Sequence, residues 1–150
     1  MVNIKELVDR YQSISYMVNR RINALMRDQL QEEVTLDQFS VIRYIDSQGA
    51  STSTELSEVL CVGKSSITAL VTRLVDKGLL IRKEDEHDRR VILLALTEKG
   101  VEICRAIEER IAQLLSTYIN HFEPEEVLNF INTYEKLAQL LDNERRSHSE

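Results

Sequence analysis

Apolar side chains recur at helical spacing over most of this chain. The period breaks once, between residues 79 and 96, where two β-rich runs, LLIRKE and VILLAL, flank the polar stretch DEHDRR. A 3.6-residue period belongs to a helix with one buried stripe, whereas a short run of branched and aliphatic residues bounded by polar turn residues belongs to a strand. The chain is thereby constrained to helices with one inserted hairpin. Four glycines and one proline in 150 residues leave little to interrupt long helices. No Gly/Ser-rich or Pro-rich linker divides the chain, so a single domain with a real core is expected.

Residues 3 to 30 carry Ile4, Leu7, Val8, Tyr11, Ile14, Val18, Ile22, Leu25 and Met26 on one stripe, which predicts a long amphipathic helix. Thr35 or Asp37 is placed to cap a second helix that buries Phe39, Ile42 and Tyr44 or Ile45 and stops at Gly49. After the linker ASTS, TELSEVL reads as a short helix capped by Thr54, and CVG as a three-residue turn. The next segment, KSSITALVTRLVDKG, sets Ile67, Leu70, Val71 and Leu74 on one face and Lys64, Ser65, Thr68, Ala69, Thr72 and Arg73 on the other, with Gly78 as its C-terminal stop. Two helices joined by a short Gly-containing turn are the pattern of a helix-turn-helix, whose second helix enters the DNA major groove. A hairpin directly after it makes a winged helix. From Thr97 the helical period returns through Cys104, Ile107, Ile111, Leu114, Leu115, Tyr118 and Phe122, and Pro124 opens a last helix running to about Asp142, before a frayed tail, NERRSHSE. The fold class is therefore mainly α: a winged helix-turn-helix region at 35–100 with a two-stranded wing, flanked by helical regions at 1–30 and 101–142. Apolar residues left over on the outer helices (Ile103, Ile119, Leu128, Ile131, Leu141) assign those regions to a dimer core.

A net charge of −6 argues at first against nucleic acid, since phosphate contacts come from Lys and Arg. Residues 53–100, however, hold eight basic and eight acidic side chains, so the excess acidity lies outside the winged-helix stretch. No apolar run approaches the roughly 18 residues of a membrane span, and MVNIKELVDR lacks a signal-peptide core. A cytoplasmic protein with no membrane partner is expected. Cys61 and Cys104 form no CxxC or Cys/His cluster, which argues against a disulfide framework and a structural zinc site. His87, His121 and His148 lie in a wing, a helix end and a tail, with no nucleophile motif or phosphate loop, so no enzyme is expected. His121 with Glu123 or Glu125 makes an incomplete ligand set, and the sequence predicts neither metal nor cofactor.

Across KSSITALVTRLVDKGLLIRKEDEHDRRVILLALTEKG the chain resembles the MarR family of bacterial transcription regulators. The resemblance rests on RLVDKGLL, on the Asp-Arg-Arg of residues 88 to 90, and on Leu96, Thr97 and Gly100 as "LT..G". It implies a homodimeric winged-helix repressor or activator that binds a pseudo-palindromic operator in double-stranded DNA and is often released by a small molecule or an oxidant. Position by position, it makes Lys64 to Lys77 the recognition helix and Arg90 the wing arginine, held by Asp88, which could also hold Arg73. Two departures are Cys61, where a glycine or other small residue belongs in the turn, and the acid-rich EDEHD beside the wing tip.

The site residues follow. Lys64, Arg89 and Arg90 are assigned to phosphates, and Ser65, Ser66, Thr68 and Thr72 to base edges, with Ala69 and Arg73 on the same face. An effector pocket for a small aromatic ligand is placed near Tyr16, Arg20 and Tyr44, where the first helix meets the second and fifth. Cys61 is a redox candidate, because a helix N-terminus and nearby Lys64 both favour thiolate. Blander readings stay open: two packed helices without a DNA role, a solvated arginine pair in a hairpin, a winged helix that binds protein, and a small buried Cys61 filling its turn.

Overall fold

The computed structural model describes residues 1–148. Its elements run α1 (Ile4–Leu30), α2 (Leu36–Gln48), α3 (Ser53–Leu60), α4 (Lys64–Asp76), β1 (Leu80–Glu84), β2 (Ile92–Leu96), α5 (Glu98–Ile119) and α6 (Pro124–Ser147). They fall into two compact units, Met1–Ile111 and a second beginning at Ala112. No described helix is long and apolar enough to cross a membrane.

In the first unit, side-chain caps set the helix starts by giving the first N–H groups of each helix a partner they would otherwise lack. Asn3 accepts from the N–H groups of Lys5 and Glu6. Thr35, not Asp37, caps α2, in a reciprocal box with Gln38. Thr52, not Thr54, caps α3, because Glu55 three residues on can reach back to its N–H. Ser51, expected in a linker, instead bridges to β2: its N–H donates to Leu94 O at 3.1 Å and its carbonyl accepts from Leu94 N at 2.8 Å. The hairpin pairs antiparallel from Leu80↔Leu96 to Glu84↔Ile92.

The core gathers Phe39, Val41, Ile42 and Ile45 of α2, Leu56 of α3, Ile67, Val71 and Leu74 of α4, Leu79, Leu80, Leu94, and Cys104 and Ile107 of α5. Each such aliphatic side chain contributes about 1.5–3 kcal/mol on burial. Ile103, assigned from the sequence to a dimer surplus, packs against this core. By contrast α1 buries only Leu30, and Ile4, Leu7, Val8, Tyr11, Ile14 and Val18 are exposed. Toward its C-terminal end the stripe is partly covered, with Ile22 and Leu25 half-buried and Met26 packed against the core.

Helix α4 stops through Gly78, at φ +73°, with Gly78 N donating to Val75 O and Leu79 N to Leu74 O. The chain then meets α5 at once. Thr97 N donates to Leu79 O at 3.0 Å, the Thr97 hydroxyl donates to Gly78 O at 2.6 Å, and Gly100 N donates to the Thr97 hydroxyl at 3.0 Å. A Cβ on Gly100 would collide with the Leu79 carbonyl oxygen. This accounts physically for Leu96, Thr97 and Gly100: the threonine bridges two backbone groups and the glycine lets α5 approach a carbonyl.

In the second unit α6 begins at Pro124, with Glu123 N donating to Glu126 Oε2 at 2.9 Å. Phe122, expected on the α5 stripe, lies beyond the end of that helix. Helix α6 runs past the expected stop at Asp142, with an Arg146–Asp142 pair at 3.3 Å spanning one of its last turns. Of the expected frayed tail, residues 149 and 150 lie outside the described residues. No residue of α6 is buried, and Leu128, Phe130, Ile131, Tyr134, Leu140 and Leu141 are exposed.

Gly100→Ala should destabilise the fold by about 1–3 kcal/mol despite the better helix propensity of alanine, because the obstructing atom is backbone. Urea unfolding measures this; an unchanged or raised midpoint would show that the close approach is not required.

Candidate nucleic-acid interface

The turn between α3 and α4 is held by its own polar groups. Cys61 N donates to Glu58 O, Val62 N to Ser57 O, and the Ser57 hydroxyl to Val62 O at 2.6 Å. Cys61 adopts φ 54°, ψ 40°, the left-handed region that favours glycine, which explains the small residue expected there. Gly63 precedes α4 and no side chain caps the helix. Its first N–H groups are open to an external acceptor.

Helix α4 turns Ile67, Val71 and Leu74 into the core and leaves Lys64, Ser65, Ser66, Thr68, Ala69, Thr72 and Arg73 exposed. Every residue assigned to this face lies on it. The Thr68 hydroxyl donates to Lys64 O at 2.9 Å, so in this rotamer it meets a partner as an acceptor. The far end of the helix is anchored: the Lys77 ammonium donates to Glu33 O at 3.1 Å and to Gln38 Oε1 at 2.9 Å. Lys77 is therefore occupied in holding α4 to the start of α2.

The wing loop is organised by its acids. Asp85 Oδ1 accepts from His87 N at 2.7 Å and Asp88 N at 3.1 Å. Asp88 Oδ1 accepts from Arg90 N at 3.0 Å and Arg90 Nε at 3.3 Å. Asp85 N donates to Val91 O and Val91 N to Asp88 O, closing the loop. The backbone N–H groups of His87 and Asp88 hold the Asp85 carboxyl below its ordinary 3.8. Two of the four acids therefore shape the turn, a role that sequence reasoning missed for Asp85 although Asp two or three residues before the N–H groups it serves is a recognisable turn signal. Glu84 and Glu86 are exposed. Asp88 pairs with Arg90 as expected, whereas Arg73 makes no ion pair among the described residues. The Arg90 side chain is 92% exposed and Arg89 is exposed beside it.

The effector residues come together only in part. Arg20 donates to the Tyr16 hydroxyl at 2.8 Å and its guanidinium lies 5.3 Å from the Tyr16 ring centre. Both border an open hollow on α1 that also takes in Arg21, Asn23 and Arg27. Tyr44 does not line it, being half-buried against the core. Cys61 is exposed, which overturns the reading of it as a buried filler. Cys104 is fully buried, and its thiol is pushed up to about 12 by burial and by the carboxylates of Glu108 and Asp46. Those three residues are the group among the described residues with the proximity of metal ligands, and neither His121 nor Glu123 belongs to it.

The MarR family profile matches residues 34–92. Multiple antibiotic resistance protein MarR of Salmonella typhimurium is 34% identical over 99 residues, covering 65% of this chain and 69% of that protein. A MarR family protein of Bacillus stearothermophilus superposes with a TM-score of 0.82 at 26% identity, over 95% of this chain and 99% of that one. A mutant of E. coli MarR complexed with operator DNA superposes with a TM-score of 0.75 at 26% identity, over 91% and 99%.

Because its folded pKa is depressed, Asp85 supports the loop fully above 3.8, and that support is lost as pH falls through the lower folded value. The His87 amide resonance should titrate with a midpoint below 3.8. A midpoint at 3.8 or above would mean that Asp85 does not hold the loop.

Proposed function

This chain belongs to the MarR family of transcription regulators, and from that premise we propose that it binds a pseudo-palindromic operator as a homodimer and represses transcription until a signal releases it. The observation that carries the reading is the face of α4: a hydrogen-bonding and cationic surface, set opposite the buried stripe of the same helix and followed by an arginine-tipped hairpin. In a related fold, a MarR protein is complexed with operator DNA. Lys64, Arg89, Arg90 and the uncapped N-terminal amides of α4 would neutralise phosphates, and Ser65, Ser66, Thr68 and Thr72 would meet base edges, with Ala69 and Arg73 alongside. Asp88 holds the Arg90 guanidinium on a rigid turn, which suits insertion into a narrow, strongly negative minor groove. An enzyme reading has no support from relatives that are transcription regulators.

Homodimerisation is supported by the exposed apolar residues of α1 and, separately, of α6, which a second copy would cover. The two recognition helices would then sit about one DNA turn, roughly 34 Å, apart. A small aromatic acid is a suitable releasing ligand for the Tyr16–Arg20 pair, which offers a ring face and a guanidinium together. An oxidant is the alternative signal, acting at the exposed Cys61 in the turn that sets the angle between α3 and α4.

Arg90→Ala should weaken binding to duplex DNA nearly uniformly across sequences and lower the salt slope by about one counterion, with a dimer found by light scattering. Thr68→Ala should instead change the motif selected from a random duplex pool. Salt-independent or absent DNA binding would favour a winged helix that binds protein, and a monomer that binds DNA tightly would refute the dimer.

For release, an aromatic acid should lower operator affinity in a manner lost in Arg20→Ala, or peroxide should lower it in a manner lost in Cys61→Ser. If neither treatment changes operator affinity of the unaltered protein, both signals are wrong.

A further inference from the structure

In the first unit, Asp46 of α2 comes close to Cys104 and Glu108 of α5. Sγ of Cys104 and one carboxylate oxygen each of Asp46 and Glu108 lie within 4.8 Å of one another. Cys104 and Glu108 are four residues apart on α5 and so share a face, and Asp46 approaches from α2. Two acids near each other on a surface are common. The thiol is what sets this cluster apart: Cys104 is fully buried at the edge of the core and its Sγ has no hydrogen-bond partner among the described residues, yet it lies within 4.8 Å of a carboxylate oxygen of Asp46 and of Glu108. Nothing in the DNA-binding face or the Tyr16–Arg20 hollow uses these groups.

We propose that Asp46, Cys104 and Glu108 form a binding site for a thiophilic divalent metal ion of the zinc type. Carboxylates alone would suit magnesium or calcium, but a sulfur ligand selects a softer ion. A zinc–sulfur bond of about 2.3 Å and a zinc–oxygen bond of about 2.1 Å put ligand atoms on one ion less than about 4.4 Å apart, so small side-chain rotations complete the set. Asp46 is exposed, which leaves an entry path and at least one position for water. Binding replaces the thiol proton: the S–H bond breaks, sulfur keeps the electron pair and bonds the cation, and the proton leaves to solvent. The two carboxylates that disfavour a bare thiolate then become fellow ligands. Arg43, whose Nε lies 3.5 Å from Glu108 Oε1 on a largely exposed side chain, is the competing cation and gives way or moves to the other carboxylate oxygen. The bound ion would cross-link α2 to α5, two elements that frame the recognition helix.

The test uses the full chain carrying Cys61→Ser, so that Cys104 is its one thiol, and contains no DNA, which keeps its outcome independent of the operator-binding reading. Cobalt(II) should give a sulfur-to-metal charge-transfer band that saturates at one ion per chain. Zinc, measured against a chromophoric chelator, should displace it. Asp46→Asn changes an exposed side chain and should weaken zinc binding by at least about tenfold. Cys104→Ser should abolish the band; if that variant fails to fold, Asp46→Asn still decides. Absence of a thiolate band with cobalt, or equal zinc affinity with and without Asp46→Asn, would overturn the site.

Discussion

The Leu79 carbonyl and amide sit where three elements of the winged helix meet. The amide closes the end of α4 by donating to Leu74 O, the carbonyl accepts from Thr97 N, and the missing side chain of Gly100 lets the first turn of α5 pass directly over it. The hairpin leaves from this point at Leu80 and returns to it at Leu96, its first and last paired residues. One short junction therefore fixes α4, the wing hairpin and the helix that leads out of the unit in a single geometry. A side chain at residue 100 would separate them, and the placement of Arg90 relative to α4 would go with it.

The chain carries a net charge of −6, and its charged side chains have different duties. Lys77 is held by the Glu33 carbonyl and Gln38, and Arg110 by the Gln29 carbonyl and Glu33, so these cations act within the fold. Asp85 and Asp88 have their carboxylates turned onto wing-loop donors, which makes them part of the support for Arg90. Lys64, Arg73, Arg82, Lys83 and Arg89 remain exposed around the same region. Within the wing loop, Asp85 and Asp88 give the turn its shape and Arg89 and Arg90 give it positive charge.

The local grammar of the sequence was legible because it depends on near neighbours. Helical periods, the Gly-containing turn, the β-rich runs of the wing and the stop at Gly78 each rest on contacts within a few residues, and the turn, the wing strands and the Gly78 stop appear in the structure within a residue or two. The exposed face of α4 from Lys64 to Arg73 follows from one helical period. Errors arose where two local choices were equally good. Thr52 and Thr54 both precede the third helix, and only the reach of Glu55 selects Thr52. The tail after Asp142 reads as polar and frayed, yet a charge pair four residues apart continues the helix.

What tertiary structure alone decided involves partners far apart in sequence. No periodicity could tell that the N-terminal part of the α1 stripe is exposed while Met26 and Ile103 pack against the core, since a period reports that a face is apolar and not what meets it. Ser51 joining β2, Lys77 reaching back to Glu33 and Gln38, and Tyr44 packing away from the Tyr16–Arg20 hollow are all products of packing. The grouping of Asp46 with Cys104 and Glu108 is another: a ligand set shared by two helices has no spacing to recognise until the helices are side by side. The sequence by itself determined the elements and their order, because hydrogen bonding and side-chain period act along the chain. Which surfaces those elements bury and which groups they bring together was decided only in three dimensions, because burial and proximity act across it.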